Sequence, residues 1–527
     1  MALQVSPARN GVATRTGVRG SSRLHEPFYW VWIAVILALI AVHALHPRAD
    51  FPNNSPWMDY SKYTDEGWYG KAAIDHYAIG SWYRPGGFNA AIALPVLPAL
   101  ELAVFHFTGV GLAPARLLIL AIFAANLFLV YFAVRTQAPP WTALLAVTLL
   151  AANSFVYAFS RLAILEPLLV FFLLISWLIA LRLPQSAAAR SAAFTACGLC
   201  MCLMILTKTT AIFLLPSTLF LLWKSSGPAV AARVKAIATA TIAAALPWTA
   251  YYFLWVSPHY LVDYRYLFTA NQYDRPLGVS GWAAAIWYAL HKTLWISPAL
   301  MLLLLALLAL SALLYRKIWR NPLLMASLLA AAGYIFFITW HNNVQPRYYH
   351  VLAYSLAIAL ALALEHLVNV LRAEPPAFAR LLPHAVTAAG AAAAIVLVLS
   401  TAANLRQMIH WARHPEYTWL NAANGLTRYI DQHPNGNRLL LSISGDEITL
   451  VTGLPAICDD FGPWNLPART QYYQPGWYAT WNDLDPGTQA DLETHYRLEQ
   501  VASFNAFDDP DRDQLILYKL HPLAAGK

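Results

Sequence analysis

Five ionisable residues sit where a largely apolar chain holds charge only at a cost. They are Asp65 and Glu66 in Tyr63-Thr-Asp-Glu-Gly-Trp-Tyr69, Glu166 in Glu166-Pro167, Lys208 in Thr207-Lys-Thr209, and Arg347 in Pro346-Arg-Tyr348. Each lies close to a long hydrophobic run, a setting in which charged groups tend to do chemistry, transport or capping. A positioned carboxylate can take the proton of a hydroxyl as it attacks, which makes Asp65 a candidate general base with Glu66 beside it. Lys offers a point charge to a phosphate and Arg a two-pronged fork, so Lys208 and Arg347 are candidates for holding a phosphate carried on a lipid. Tyr348 adds a hydroxyl donor, and Arg161 is a further cation close in sequence to Glu166. Plainer readings stand beside these. Thr64 or Asp65 can cap a helix running through Trp68–Tyr77, with Glu66 stabilising its first turn. Glu166-Pro167 is an ordinary helix start. Lys208 and Arg347 can also snorkel to lipid headgroups.

The elements that must carry these residues are membrane spans. The 527 residues are 59% hydrophobic and only 12% charged, with a mean hydropathy of +0.47. Repeated apolar runs therefore read as a multi-span α-helical membrane protein. Twenty Trp and 27 Tyr suit many interfacial positions. The net charge of +8 sits in short loops between apolar runs, so it reflects topology rather than nucleic-acid binding.

Eleven spans are expected, near 28–46, 114–134, 141–160, 167–182, 192–206, 209–223, 236–256, 293–314, 322–340, 348–371 and 384–403. Residues 1–27 form a basic cytoplasmic N-terminus with Arg9, Arg15, Arg19 and Arg23, and 47–112 a large first external loop. The stretch 88–107 is apolar but carries Pro95, Pro98, Glu101 and His106, which fit an interfacial or re-entrant helix. With that stretch not crossing, fifteen basic residues fall inside, ending with Arg372 and Arg380, against ten outside. Lys208 then lies in an external turn between two short spans. The aromatic external segment 257–292, with Tyr260, Tyr264, Tyr266, Tyr273, Trp282 and Trp287, reads as an interfacial belt or as a stacking surface for sugars.

Residues 404–527 are polar, with strand-like runs Leu439–Ile443 and Gln514–Tyr518 and turn signals at His433-Pro-Asn-Gly436 and Asp509-Pro510. They predict a small α/β domain outside the cytoplasm. Cys197, Cys200 and Cys202 share one apolar run and Cys458 is alone, so neither a zinc site nor a disulfide framework is expected. No P-loop, dinucleotide fingerprint or internal repeat is visible.

The ordered set of motifs resembles a known family. Asp65-Glu66-Gly-Trp-Tyr, Arg84-Pro85 and Phe107-Thr-Gly-Val-Gly…Ala-Arg116-Leu resemble the first external loop of the protein O-mannosyltransferase and aminoarabinose lipid A transferase group. Ser160-Arg161-Leu-Ala-Ile-Leu-Glu166-Pro is similar to that group's second external loop, where Asp often stands in place of Glu166. Leu206-Thr-Lys208-Thr-Thr and Pro346-Arg347-Tyr348-Tyr match two further motifs in the same order, and the similarity covers roughly residues 28–372. The resemblance implies a GT-C fold: an all-α polytopic membrane domain over 28–403 with a small C-terminal α/β domain over 404–527. It implies a bacterial inner-membrane glycosyltransferase that moves a sugar from a polyprenyl-phosphate donor to a protein, lipid or glycan hydroxyl. Asp65 would be the base, Glu66 and Glu166 would shape the acceptor side, and Lys208, Arg347, Tyr348 and Arg161 would receive the phosphate. Arg84, Arg116 and His76 would shape the substrate site. A polyprenyl phosphate is already a competent leaving group and needs charge stabilisation rather than protonation. Direct displacement would invert the anomeric centre, and with cations at the phosphate no obligatory metal is expected. The competing class is a transporter or lipid flippase, whose usual inverted repeats and midplane sites are not visible here.

Overall fold

The computed structural model describes residues 26–53, 55–270, 276–314, 316–341, 344–372, 383–459 and 461–523. The N-terminal arginines, Tyr273 and Arg380 lie outside the described residues.

Apolar runs become helices because a chain in hydrocarbon must satisfy its own N–H and C=O groups. Helices α1 (Glu26–His43), α4 (Leu112–Arg135), α7 (Leu165–Leu181), α8 (Ala187–Thr207) and α10 (Val230–Tyr251) occupy expected segments. So do Pro298–Leu314, Pro322–Trp340 and Tyr348–Arg372, while the helix on the eleventh expected segment, Pro383–Arg413, runs ten residues beyond its expected end. The segment expected over 141–160 is two helices, α5 (Pro140–Ala151) and α6 (Ser154–Ser160), bent by 67°. Asn153 occupies the bend, where its side chain accepts from the Val156 N–H (2.9 Å) and donates to the Ile296 carbonyl (2.9 Å). At Lys208 the chain leaves α8 in an extended conformation, passes through a tight turn over Thr209–Phe213 and enters α9 (Leu215–Ser225). Pro247 lies inside α10, which ends in a wider π-type turn at Tyr252–Val256.

Among the described residues, six helices are long and apolar enough to cross a membrane, or seven if the bent pair is one span. Shorter apolar helices accompany them, and the chain is a multi-pass membrane protein. The stretch 88–107 contains α3 (Val96–Thr108), whose 13 residues rise only about 20 Å against a hydrocarbon core of about 30 Å.

The segment 47–112 folds around α2 (Asp65–Ile79), most of which is buried. It packs between α3 and the helix Gly445–Thr452 of the C-terminal region. That region forms a five-stranded mixed sheet from β1 (Leu440–Ser442), β2 (Ala456–Ile457), β3 (Trp477–Trp481), β4 (Tyr496–Asn505) and β5 (Gln514–Pro522). Its order is β2-β1-β3-β5-β4, with β1 parallel to both neighbours and β5 antiparallel to β3 and β4. The strand-like runs read from sequence are β1 and β5. The sheet's core is continuous with the first loop, because Tyr63 packs against Trp481 and Phe507.

Candidate active site

Asp65 opens α2. The capping reading fails in detail: neither Thr64 nor Asp65 makes a side-chain cap to the helix N–H groups. The Thr64 hydroxyl lies 3.1 Å from the Tyr60 carbonyl and 3.2 Å from Asp65 Oδ1. Asp65 instead turns towards Arg347, whose Nη2 is 2.8 Å from Asp65 Oδ2. The pair is close in charge but poorly aligned, since Oδ2 has no hydrogen-bond partner. Burial pushes the Asp65 carboxyl above its usual range, opposed by Arg347 and reinforced by Asp59 and Glu166. A carboxylate held there is a stronger base than a solvated one.

Arg347 is fixed from below by Asp59, which accepts from its guanidinium Nη1 and from its backbone N–H (2.8 Å). Asp59 also caps the turn Tyr60–Lys62 through the Ser61 N–H (2.9 Å) and binds the Ser61 hydroxyl (2.7 Å). Glu166, fully buried on the first turn of α7, accepts from Lys208 Nζ and lies 3.9 Å from Arg347 Nε. Tyr348 sits between the cations, its ring centroid 4.5 Å from Lys208 Nζ and 5.3 Å from the Arg347 guanidinium carbon. Among the described residues, Arg347 Nε and Glu166 Oε2 are buried without a hydrogen-bond partner. Lys208 spends one of its three protons on Glu166.

Four of these groups border a cavity of about 320 Å³, with Asp59 and Glu166 behind them. Asp65, Lys208, Arg347 and Tyr348 line it, and the C-terminal domain adds Ile443, Cys458 and Phe461 to the wall. The structure therefore gathers Asp65, Glu166, Lys208, Arg347 and Tyr348 from four separate helix ends.

The other candidates stand elsewhere. Glu66 points away from the cavity into a two-pronged pair with Arg116 of α4 (2.5 and 2.8 Å) and also accepts from the Ala163 N–H (2.7 Å). Arg116 additionally donates to the Ala49 carbonyl (2.5 Å). Arg161 ties α6 to the chain just past α1 through the Leu45 and His46 carbonyls, and also donates to the Tyr157 hydroxyl within α6. Arg84 pairs with Asp75 (2.5 Å), which lies 3.4 Å from Lys71. His76, on the last turn of α2, packs beside Trp82. None of these five lines the cavity. Among the described residues, no group of three or more His, Cys, Asp or Glu side chains is arranged to hold a metal ion.

Sequence reasoning missed Asp59 and the C-terminal wall. Asp59 had one available signal, an acid six residues before Asp65 in the same aromatic loop, but its partner lies 288 positions away.

No protein-family model and no curated protein matches the sequence. Solved structures do match. The apo structure of ArnT from Cupriavidus metallidurans aligns with a TM-score of 0.60 at 15% identity, covering 95% of this chain and 99% of that one. The same protein bound to undecaprenyl phosphate aligns with a TM-score of 0.57 at 16% identity and the same coverage. The oligosaccharyltransferase AglB from Archaeoglobus fulgidus, in complex with an inhibitory peptide and a dolichol-phosphate, aligns at 0.53 and 13% identity, covering 95% of this chain and 75% of that one. The fold is the GT-C fold of these glycosyltransferases.

Proposed function

We propose that the chain transfers a sugar from a polyprenyl-phosphate donor to a hydroxyl acceptor outside the cytoplasm, with inversion. One observation carries the reading: a buried carboxylate of raised basicity and two cations meet in a single cavity at helix ends. The eleven-span arrangement with an inside N-terminus and an outside C-terminal domain, in a bacterial inner membrane, belongs to the same proposal. The likeness to an ArnT structure holding undecaprenyl phosphate supports the donor class.

In this reading Asp65 takes the proton from the acceptor hydroxyl while its oxygen attacks the anomeric carbon from the face opposite the phosphate. The bond from that carbon to the phosphate oxygen breaks, and the pair of electrons leaves with the polyprenyl phosphate. The Arg347 Nε–H and the remaining Lys208 protons meet the charge that grows on that oxygen. Asp59 and Glu166 hold the cations in place, while Glu66, Arg116, Arg161 and Arg84 brace the loop that carries Asp65. The cations provide the electrostatic stabilisation, so the step invokes no metal.

The test is transfer from short-chain farnesyl-phosphoryl sugars by the purified protein and its Lys208→Ala variant. The reading predicts lower turnover and weaker donor binding in the variant, because the interaction strengthens as phosphate departs. Unchanged kinetics at every donor concentration would move the donor site elsewhere, and no transfer by the wild type would revive the transporter reading.

A further inference from the structure

The C-terminal domain reaches the cavity through Ile443, Cys458 and Phe461. It is held there by a helix contact whose closeness depends on one residue. A Cβ at Gly67 would lie 2.3 Å from the backbone of Asp446 and Glu447 on the helix Gly445–Thr452. Backbone cannot swing aside as a side-chain tip can, so the two helices meet only because position 67 has no side chain. Two buried bonds surround the contact: the Gly67 N–H donates to Glu447 Oε2 (2.6 Å) and Lys71 Nζ to Asp446 Oδ1 (2.6 Å). A second strip of contact lies further along the first loop. A Cβ at Gly86, whose φ is +75°, would lie 2.2 Å from the Trp464 ring. The Phe88 N–H donates to the Phe461 carbonyl (3.3 Å), and the Tyr473 hydroxyl donates to the Pro85 carbonyl. Asp65 stands two residues before Gly67 on the same helix, so base and seat share one rigid mount.

We infer that the C-terminal domain, seated on Gly67, is the acceptor-facing half of this cavity, with Phe461 a specificity-determining residue and Gly67 a positioning one. The inference rests on the glycosyl-transfer reading. A lipid-linked donor keeps its hydrocarbon in the bilayer, so its phosphate approaches through the helix ends that carry Lys208 and Arg347. The wall built by a domain without spans is then left to face the acceptor. That wall is uncharged, and Phe461 meets Trp68 edge-on at 5.5 Å. It contacts the acceptor through apolar and aromatic surface rather than by charge.

The test uses the full chain in lipid nanodiscs with two probes. One is a membrane-impermeant maleimide, with the labelled cysteine identified by peptide mass spectrometry. Cys458 is buried, and the chain's other three cysteines all lie in α8. The other probe is undecaprenyl phosphate, whose binding reports the cation side. Gly67→Ala forces the domain off its seat and speeds Cys458 labelling by about tenfold, because overpacked backbone must move. Its affinity for undecaprenyl phosphate stays within about twofold of the wild type. Phe461→Ala introduces no clash and covers the case in which the first variant does not fold. It raises the KM for octyl β-glucoside as acceptor about tenfold and leaves the KM for a farnesyl-phosphoryl hexose unchanged. Wild-type labelling of Cys458 in Gly67→Ala would overturn the seat. Equal rises in both KM values in Phe461→Ala, or in neither, would overturn the acceptor wall. Failure of the glycosyl-transfer reading looks different, because the wild type itself would then transfer no hexose from the farnesyl-phosphoryl donor.

Discussion

Replacing Asp59 with Asn tests the charge arrangement more sharply than removing a cation does. Asp59 and Asp65 hold the two ends of one guanidinium, with Asp59 on Nη1 and Asp65 2.8 Å from Nη2. Two carboxylates on one guanidinium repel each other, and at an effective dielectric of about 20 two like charges on the order of 6 Å apart do so by about 2–3 kcal/mol. That repulsion adds to burial in holding the Asp65 carboxyl above its usual range. In Asp59→Asn the repulsion disappears, and Arg347 is left to settle on Asp65 alone. Both changes lower the Asp65 pKa and weaken it as a base. The acidic limb of kcat/KM should move to lower pH, while kcat on the plateau falls about tenfold or more. Asn still accepts from the Ser61 N–H, so the cap on the Tyr60–Lys62 turn survives. The assay is the pH dependence of sugar transfer from a farnesyl-phosphoryl donor, with donor binding measured in parallel. A limb that stays in place or moves to higher pH would refute the electrostatic coupling of Asp59 to Asp65.

Glu66→Gln should cost stability and not chemistry. Breaking its fully buried pair with Arg116 costs about 3 kcal/mol or more, read as a lower Tm in detergent with turnover per folded molecule preserved. Unchanged Tm with lost turnover would instead put Glu66 in the reaction. Asp50 makes a pH-dependent contribution. Burial pushes its carboxyl up to about 7, against hydrogen bonds from the Trp419 and Leu420 N–H groups at the start of the helix Thr418–Gln432. Because the folded value exceeds the unfolded one, its stabilising contribution is complete at low pH and is lost as pH rises through about 7. Thermal unfolding from pH 5 to 8 should show that slope in the wild type and a weaker one in Asp50→Asn; equal slopes would contradict the assignment.

Much of the architecture was legible because hydrophobic length is a strong signal. The apolar segments around Lys208, Glu166 and Arg347 could be placed from composition, and so could the end of the helix at Lys208. Strands β1 and β5 were legible from apolar runs bounded by His433-Pro-Asn-Gly436 and Asp509-Pro510. The chemistry of individual side chains was less so. Asp65 and Glu66 are adjacent and alike in sequence, yet helix geometry points them to different sides, one to Arg347 and the other to Arg116. Arg161 and Arg84 carry the same charge as Arg347 but are consumed by carbonyls and by Asp75. The bend at Asn153 and the seat at Gly67 depend on contacts made by distant chain, with Asp446 following Gly67 by 379 positions. Local pattern carries no information about such meetings.

The central claim is that Asp65 accepts the acceptor's proton. The most direct measurement is single-turnover transfer by Asp65→Asn beside its affinity for undecaprenyl phosphate. The amide has nearly the shape of the carboxylate, and Arg347 keeps its bonds to Asp59, so donor binding should be retained. Loss of a general base typically lowers the rate by about 10²–10⁴, and a fall of that size with donor affinity intact is the predicted result. Wild-type turnover by Asp65→Asn would contradict the account.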